Sequence, residues 1–387
     1  MLTTILLSFL ALLALGAVLF AAFFRWGFEP GGYPSAEDRK KWASLSNFRD
    51  NKFSNELPTP MNIPFANKWK LFMELMKDTK LRSPNNELPI VPLRFEEHPK
   101  GATLVTWFGH SAILLEIDGL TLLIDPMLGE RPSPIPFTAK SRFCKDLPAK
   151  VCDLPNVDAI ILTHDHYDHL DYGSIRQLHE RTERFLMPLG VGAHLRRWGV
   201  DPNKIEEYNW WEEARIDSLH LTCVPARHFS GRGFFDRFHT LWCGWTIRGR
   251  EDNIYFSGDS GYGPHFEQIG EKLGPFDFAM MECGQYHEDW KNVHMLPEET
   301  ARAAADARAA WVLPVHWGAF VLALHPWNEP AERFVKAAED YDFKVVTPKI
   351  GETIDVKEPQ TEVESWWREE SLSHPRVRKG RVAGVDV

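Results

Sequence analysis

The densest concentration of ligand chemistry in the chain is the run Thr163-His164-Asp165-His166-Tyr167-Asp168-His169. It directly follows an apolar stretch, Val157 to Leu162, that reads as a buried strand. In extended backbone the side chains alternate, so His164 and His166 project to one side. Imidazole is a good ligand for zinc, and a carboxylate adds a hard ligand that neutralises charge. Asp168 and His169 follow on the turn leaving the strand, where they can reach a second cation. Three further donors end apolar runs: His228 after residues 219–226, Asp259 after 253–257 and His316 after 311–315. Each alone is ordinary, a turn carboxylate or a hydrogen-bonded histidine. Together they supply the roughly seven ligands that a two-cation centre draws from several strand ends.

Those donors need a scaffold of strands whose ends converge. Short apolar runs predict strands at 103–107, 112–117, 120–124, 157–162, 219–224, 244–247, 253–256, 278–281 and 311–315. Asp118-Gly119 forms the turn between the second and third. Helical stretches are expected at 171–181, 192–199, 297–310 and 329–340. Strands mixed with helices throughout indicate an α/β or α+β domain.

Composition narrows the class. The 387 residues carry 44 Lys and Arg against 54 Asp and Glu, a net charge of −10, which argues against a nucleic-acid partner. With 44% apolar and 12% aromatic residues the chain is no disordered segment. Five cysteines form no disulfide framework. Residues 1–24 contain no charged side chain and are long enough to cross a bilayer core of about 30 Å. A cleaved signal peptide needs a basic residue before its apolar core and a small-x-small cleavage site; here the first basic residue is Arg25, in Phe23-Phe24-Arg25-Trp26. An uncleaved transmembrane anchor is therefore expected. Arg25, Arg39, Lys40 and Lys41 favour the cytoplasmic side for the rest of the chain.

Residues 25–100 read as a linker and N-terminal arm. Within it an amphipathic helix is expected at 65–80, with Trp69, Phe72, Met73 and Met76 on one face and Lys68, Lys70, Lys77 and Lys80 around it. It is either a helix docked on the core or one lying on lipid. The main domain is expected at 101–356. Residues 357–387 read as a charged, partly mobile C-terminal tail that contains Trp366-Trp367 and the basic cluster Arg376, Arg378, Lys379 and Arg381.

The run THDHYDHLD (163–171) resembles the signature of the metallo-β-lactamase superfamily of binuclear zinc hydrolases. Longer stretches are similar to the N-acylphosphatidylethanolamine-hydrolysing phospholipase D branch of it. They are GHSAILLEIDGLTLLIDP (109–126), NWWEE (209–213), LWCGWTI (241–247), FSGDSGYGPHFEQIGEKLGPFD (256–277) and VHWGAF (315–320). The similarity runs from about residue 60 to about residue 352. It implies an αββα sandwich after the single transmembrane helix. It also implies two zinc ions per chain: one on His164, His166 and His228, the other on Asp168, His169 and His316, with Asp259 bridging. Iron and manganese accept the same ligand types. Asp125 is expected to support the ligands from the preceding strand end, and His294 to lie near the scissile phosphate. His110 and Asp125 also have ordinary readings as core and turn residues.

The implied reaction is attack of a metal-bridged hydroxide on phosphorus, releasing N-acylethanolamine and leaving phosphatidic acid. The implied partners are a phospholipid substrate, a membrane and a second copy in a homodimer. Two departures from the mammalian members are Asp165, where they carry Asn, and the membrane-spanning start, which they lack. A sugar-lactone hydrolase of the same superfamily is the rival enzyme, since the same hydroxide attacks an ester carbonyl. A non-catalytic, membrane-anchored metal-binding or scaffold protein is the rival from another class. Gly258-Asp259-Ser260-Gly261 resembles a serine-protease nucleophile motif, but four residues are weak grounds without an assignable His and Asp.

Overall fold

A computed structural model describes residues 2–359, apart from 28, 61–68, 72, 75–76, 78–80, 96–97, 100, 136–137 and 234–235, together with 365–368. The uncharged start forms one helix, α1 (Leu2–Trp26). Its leucines, valine and phenylalanines point outward with nothing packed over most of them, and it is long and apolar enough to cross a membrane. A short helix α2 (Ala36–Trp42) follows, its N-terminus closed by a capping box between Ser35 and Asp38. A small hairpin, β1 (Phe48–Arg49) and β2 (Lys52–Phe53), comes next. Trp42, Phe48 and Phe53 are buried against one another, so this part of the arm belongs to the core. The helix expected at 65–80 lies largely outside the described residues.

The remaining strands form two seven-stranded sheets. The first contains β3 (Leu104–Trp107), β4 (Ile113–Ile117), β5 (Leu120–Ile124), β6 (Val157–Ile161), β7 (Thr182–Pro188) and β8 (Ile205–Tyr208) in that order. Its seventh strand, β16 (Thr353–Asp355), pairs with β3. The second sheet runs from β9 (Glu213–Ile216) through β10 (Leu219–Val224), β11 (Gly244–Arg248), β12 (Asn253–Phe256), β13 (Phe276–Glu282) and β14 (Ala309–Val315) to β15 (Lys344–Val345). Five helices cover the outer faces: α3 (Tyr172–Leu178) and α4 (Gly192–Arg197) on the first sheet, and α5 (His265–Lys272), α6 (Pro297–Asp306) and α7 (Glu329–Ala338) on the second.

Strand periodicity explains the layers. Ile113, Leu115 and Ile117 of β4 face the core between the sheets with Leu221, Trp245, Phe256 and Met280, while Leu114 faces Ile175 and Leu178 of α3. In the second sheet Tyr255, Ala279 and Met281 turn toward Phe266, Ala304 and Phe334 of the helices. Both faces of the central strands are covered, so they read as continuous apolar runs rather than as alternating ones. This helix–sheet–sheet–helix stack is the expected αββα sandwich.

All nine expected strands are present. Strands β7, β8 and β9 were not expected: β7 opens with Thr-Glu-Arg, and β8 and β9 carry Glu and Arg among few apolar residues. Helix α5 was hidden by its mixture of His, Glu, Gln and Gly. Part of the stretch read as a mobile tail is fixed. Trp366 and Trp367 are buried, and Trp366 stacks on Trp317 with ring centroids 5.6 Å apart. Indole surface of that size is too apolar to leave in water when a neighbouring ring can cover it.

Candidate metal centre

The site forms where strand ends of the two sheets meet. Asp125 follows β5, His164 follows β6, His228 follows β10, Asp259 follows β12, Glu282 ends β13 and His316 follows β14. The chain has to turn sharply at several of these points. Asp125, His110 and His316 have positive φ angles of 42°, 55° and 69°. Backbone strain of this kind concentrates where side chains must be aimed.

Among the described residues three overlapping groups of donors result that could each hold a metal ion, the third being Asp259, His294 and His316. His164, His166, His228 and Asp259 bring one ligand atom apiece within 4.8 Å of one another, and so do His110, Asp168, His169 and His316. In the first group His166 Nδ1 lies 3.0 Å from His164 Nε2 and 3.2 Å from His228 Nε2. Asp259 Oδ2 is 3.8 Å from both His164 Nε2 and His228 Nε2. The same oxygen is 3.1 Å from His169 Nε2 and 3.1 Å from His316 Nε2. Asp168 Oδ2 lies 3.4 and 3.2 Å from those two nitrogens. Tetrahedral ligands about 2.0–2.1 Å from a zinc ion sit roughly 3.3 Å apart, so these spacings fit cations. Among the described residues, His169 Nε2 and Asp259 Oδ1 are also buried without a hydrogen-bond partner. The donor set therefore fits the group that the sequence implied.

Hydrogen bonds behind the donors fix their direction. Asp125 accepts from the Thr163 amide (2.8 Å), the Thr163 hydroxyl (2.6 Å) and His169 Nδ1 (2.8 Å), which turns His169 Nε2 inward. The Thr163 oxygen in turn lies 2.9 Å from His164 Nδ1. The Val293 carbonyl holds His228 Nδ1 at 2.9 Å. His110 is pushed down to about 3 by burial and by neighbouring His316, so it is neutral and donates Nε2–H to Asp168 at 2.8 Å.

Electrostatics divides the histidines. Burial and crowding by other imidazoles hold His164 well below the usual range. Burial does the same to His228. Burial disfavours charge on His316 too, but the carboxylates of Asp259 and Asp168 outweigh it and raise that group to about 10. Asp259 and Asp168 are themselves held well below the carboxylate range despite burial, chiefly by His169. Two ionised acids facing imidazoles in a buried pocket make a site that favours positive charge.

His294 reaches the same pocket. Its ring is 5.0 Å from that of His228 and stacks at 5.1 Å on that of His316. Its Nδ1 lies 2.7 Å from Glu282, a fully buried carboxylate that also accepts from the Met295 amide. His166, Asp168 and His294 remain partly open to solvent, as does Phe229, whose ring lies 4.5 Å from His166.

Sequence reasoning placed all seven metal-donor candidates here, along with Asp125 and His294. Glu282 and Asn55 were missed. Asn55, in the N-terminal arm, exchanges two hydrogen bonds with the His228 backbone (2.8 and 3.0 Å) and accepts from Trp242. The signal for Glu282 was a carboxylate at a strand end, as for Asp125 and Asp259; Asn55 had none. Asp165 points away from the donors and accepts from the Gly231 amide, the Thr240 hydroxyl and His194. Ser260 of the Gly-Asp-Ser-Gly stretch does meet a histidine, His265, at 3.0 Å. Its hydroxyl is buried and hydrogen-bonded to the Gly261 carbonyl, so it is not a nucleophile open to substrate.

Comparison with known proteins agrees with this geometry. Residues 121–317 match the family model of the beta-lactamase superfamily domain. An uncharacterised protein of Mycobacterium tuberculosis is 41% identical over 342 residues, 87% of this chain and 91% of that one. The N-acyl-phosphatidylethanolamine-hydrolyzing phospholipase D 1 of Caenorhabditis elegans is 31% identical over 286 residues, 69% of this chain and 80% of that one. Among solved structures, an isothiocyanate hydrolase from Delia radicum gut bacteria superposes with a TM-score of 0.52 at 22% identity, over 65% of this chain and 98% of that one, which supports the fold alone. The buried histidines and aspartates at the strand ends and the extent of these matches lead to one assignment: the chain belongs to the metallo-β-lactamase superfamily of metal-dependent hydrolases, and within it resembles the N-acylphosphatidylethanolamine-hydrolysing phospholipases D.

Proposed function

We propose that the chain is a membrane-anchored binuclear zinc phosphodiesterase that cleaves N-acylphosphatidylethanolamine-type phospholipids to phosphatidic acid and N-acylethanolamine. The observation that carries this reading is Asp259, whose one oxygen lies between 3.1 and 3.8 Å from four imidazole nitrogens drawn from the first two donor groups. His164, His166 and His228 would hold one ion and Asp168, His169 and His316 the other, with Asp259 shared. Two such ions supply hydroxide at neutral pH and positive charge for the phosphoryl oxygens. Asp168 and Asp259 offset only part of that charge, so the pocket suits a phosphodiester anion.

The chain's own contribution to bond breaking is His294. Glu282 accepts from Nδ1–H, which leaves Nε2 for the substrate; in the imidazolium form, protonated on both nitrogens, Nε2 would pass its proton to the departing ethanolamine oxygen and leave the neutral ring. Lipid as substrate is supported by α1 and by the exposed Trp69 and Met73 of the arm, which suit a bilayer surface. It is also what the name of the nematode relative points to. The cytoplasmic side for the domain rests on the cations that follow α1.

One preparation tests the assignment. The full-length, zinc-loaded protein is expected to cleave N-acylphosphatidylethanolamine in mixed micelles and to leave a sugar lactone intact, with Asp259→Ala inactive in both assays. Rapid lactone opening without lipid cleavage would replace the phosphodiesterase reading with a lactonase. Metal binding without either activity would favour the scaffold.

A further inference from the structure

We infer that Arg232 makes the juxtamembrane segment Glu29–Gly32 a structural part of the metal-ligand loop, so that the seating of this segment on the domain and the hold on the metal are coupled. This rests on the metal-binding reading of the site and not on the identity of the substrate.

Arg232 is 3% exposed, and among the described residues its guanidinium is hydrogen-bonded to backbone carbonyls rather than to a carboxylate. Its donors are shared between two backbones. Nη1 donates to the carbonyls of Asp165 (2.8 Å) and Leu170 (2.7 Å), which bracket His166, Asp168 and His169. Nε donates to Pro30 (3.0 Å) and Nη2 to Glu29 (3.1 Å), three residues beyond the end of α1. The guanidinium lies 3.9 Å from the ring centroid of Tyr167 and 5.2 Å from that of Trp198. A planar fork can join four carbonyls in this way, and a lysine cannot. If the segment left, two donors of a buried cation would lose their partners, which is costly.

The segment is also shaped to stay. Gly31 has φ +93°, and a Cβ there would fall 2.2 Å from His194 Nδ1. A Cβ on Gly32 would fall 2.2 Å from the Ala193 carbonyl oxygen. Only glycine permits this approach. The approach has a consequence for the site, because His194 Nε2 is 3.2 Å from Asp165 Oδ2, inside the ligand run. Segment and ligand loop are thus linked twice, through Arg232 and through His194. The end of α1 is tied to the same body, since Arg197 donates to the Trp26 carbonyl and Tyr33 to that of Phe24 at 3.4 Å. From Trp26 to Glu29 the chain spans at most about 11 Å, so the ligand loop is held close to the membrane end of the anchor.

The test uses the full chain in detergent or nanodiscs. Arg232→Met removes every donor and keeps apolar bulk, while Gly31→Val expels the segment and leaves Arg232 intact. Gly16→Val, in open space within α1, is the control. Zinc affinity by chelator competition and hydrogen exchange of residues 29–34 and 163–171 are measured. Arg232→Met and Gly31→Val are each expected to weaken zinc binding about tenfold or more and to speed exchange in both segments, with Gly16→Val changing neither. Unchanged affinity and unchanged exchange of 163–171 in folded Arg232→Met would overturn the coupling. If that variant does not fold, Gly31→Val decides by the same two readouts. Absence of zinc from the wild type would instead sink the metal reading, and the exchange data alone would then judge the strap.

Discussion

A carboxylate buried at the end of β13 acts through the histidines beside it: Glu282 bonds His294 and lies 3.9 Å from His316 Nδ1. Glu282 holds His294 Nδ1 at 2.7 Å, so the ring's orientation and tautomer depend on it. A proton delivered to a leaving oxygen matters when that oxygen is a poor leaving group and little when it is a good one. His294→Ala is therefore expected to slow an alkyl phosphodiester about 100-fold, but a p-nitrophenyl phosphodiester by less than about 10-fold, with metal content unchanged. Glu282→Gln should follow with a smaller effect of the same pattern. Equal losses on both substrates would mean that the two residues serve the fold or the metals and not the departing group.

Protonation makes a second residue-scale prediction. Without metal, Asp259 and Asp168 outweigh burial and raise His316 to about 10, and Asp259, Asp168 and Asp125 raise His169 well above its usual range despite burial. A cation must displace those protons, since a ligand nitrogen cannot hold both. Zinc loading at neutral pH should thus release about two protons per chain, and apparent affinity should rise with pH toward about 10. Titration calorimetry in two buffers of different ionisation heat measures the release. Loading without proton release would show that these histidines are not ligands.

The candidate ligands of this run were readable at this scale because five of its seven residues, all but Thr163 and Tyr167, are His or Asp after an apolar strand. Glu282 showed only its place as a strand-end carboxylate; its role was not readable, because it lies in a contact with a residue twelve positions away.

Elements were legible in proportion to their burial. Strands β4, β5, β6, β12 and β14 stood out because both sheet faces are covered and nearly every position is apolar. Strands β8 and β9 lie at the sheet edges, where pairing rather than composition makes the strand. Residues 25–100 read as a linker and arm, and nothing in residues 48–55 announces that the hairpin delivers Asn55 to His228. Its side chain joins the backbone of a candidate ligand to the Trp242 indole, so Asn55→Ala should act on both stability and metal. A loss of about 1–3 kcal/mol is expected for the unpaired groups, measured by denaturant unfolding. Retention of metal at His228 should weaken about tenfold. Loss of stability with full metal retention would confine Asn55 to a packing role.

For the whole molecule, the question raised by the proposed function is whether α1, acting as a membrane anchor, only locates the chain or also determines what it can cleave. A water-soluble phosphodiester reaches the centre from any direction, whereas a phospholipid must be drawn from a bilayer beside it. Arginine at the middle of a span costs about 2.5–3.5 kcal/mol on the insertion scale, so Leu12→Arg with Leu13→Arg should largely remove α1 from the membrane. Both positions are exposed and far from the strap, so the metal centre should stay intact. The double variant is expected to move to the soluble fraction and to cleave vesicle-borne N-acylphosphatidylethanolamine at least about tenfold more slowly, while hydrolysing a soluble phosphodiester at the wild-type rate. An equal loss on both substrates would mean that α1 supports the fold through the segment that Arg232 holds. No loss on either, with the protein released from the membrane, would leave the anchor without a part in substrate access and would remove one of the supports for a lipid substrate.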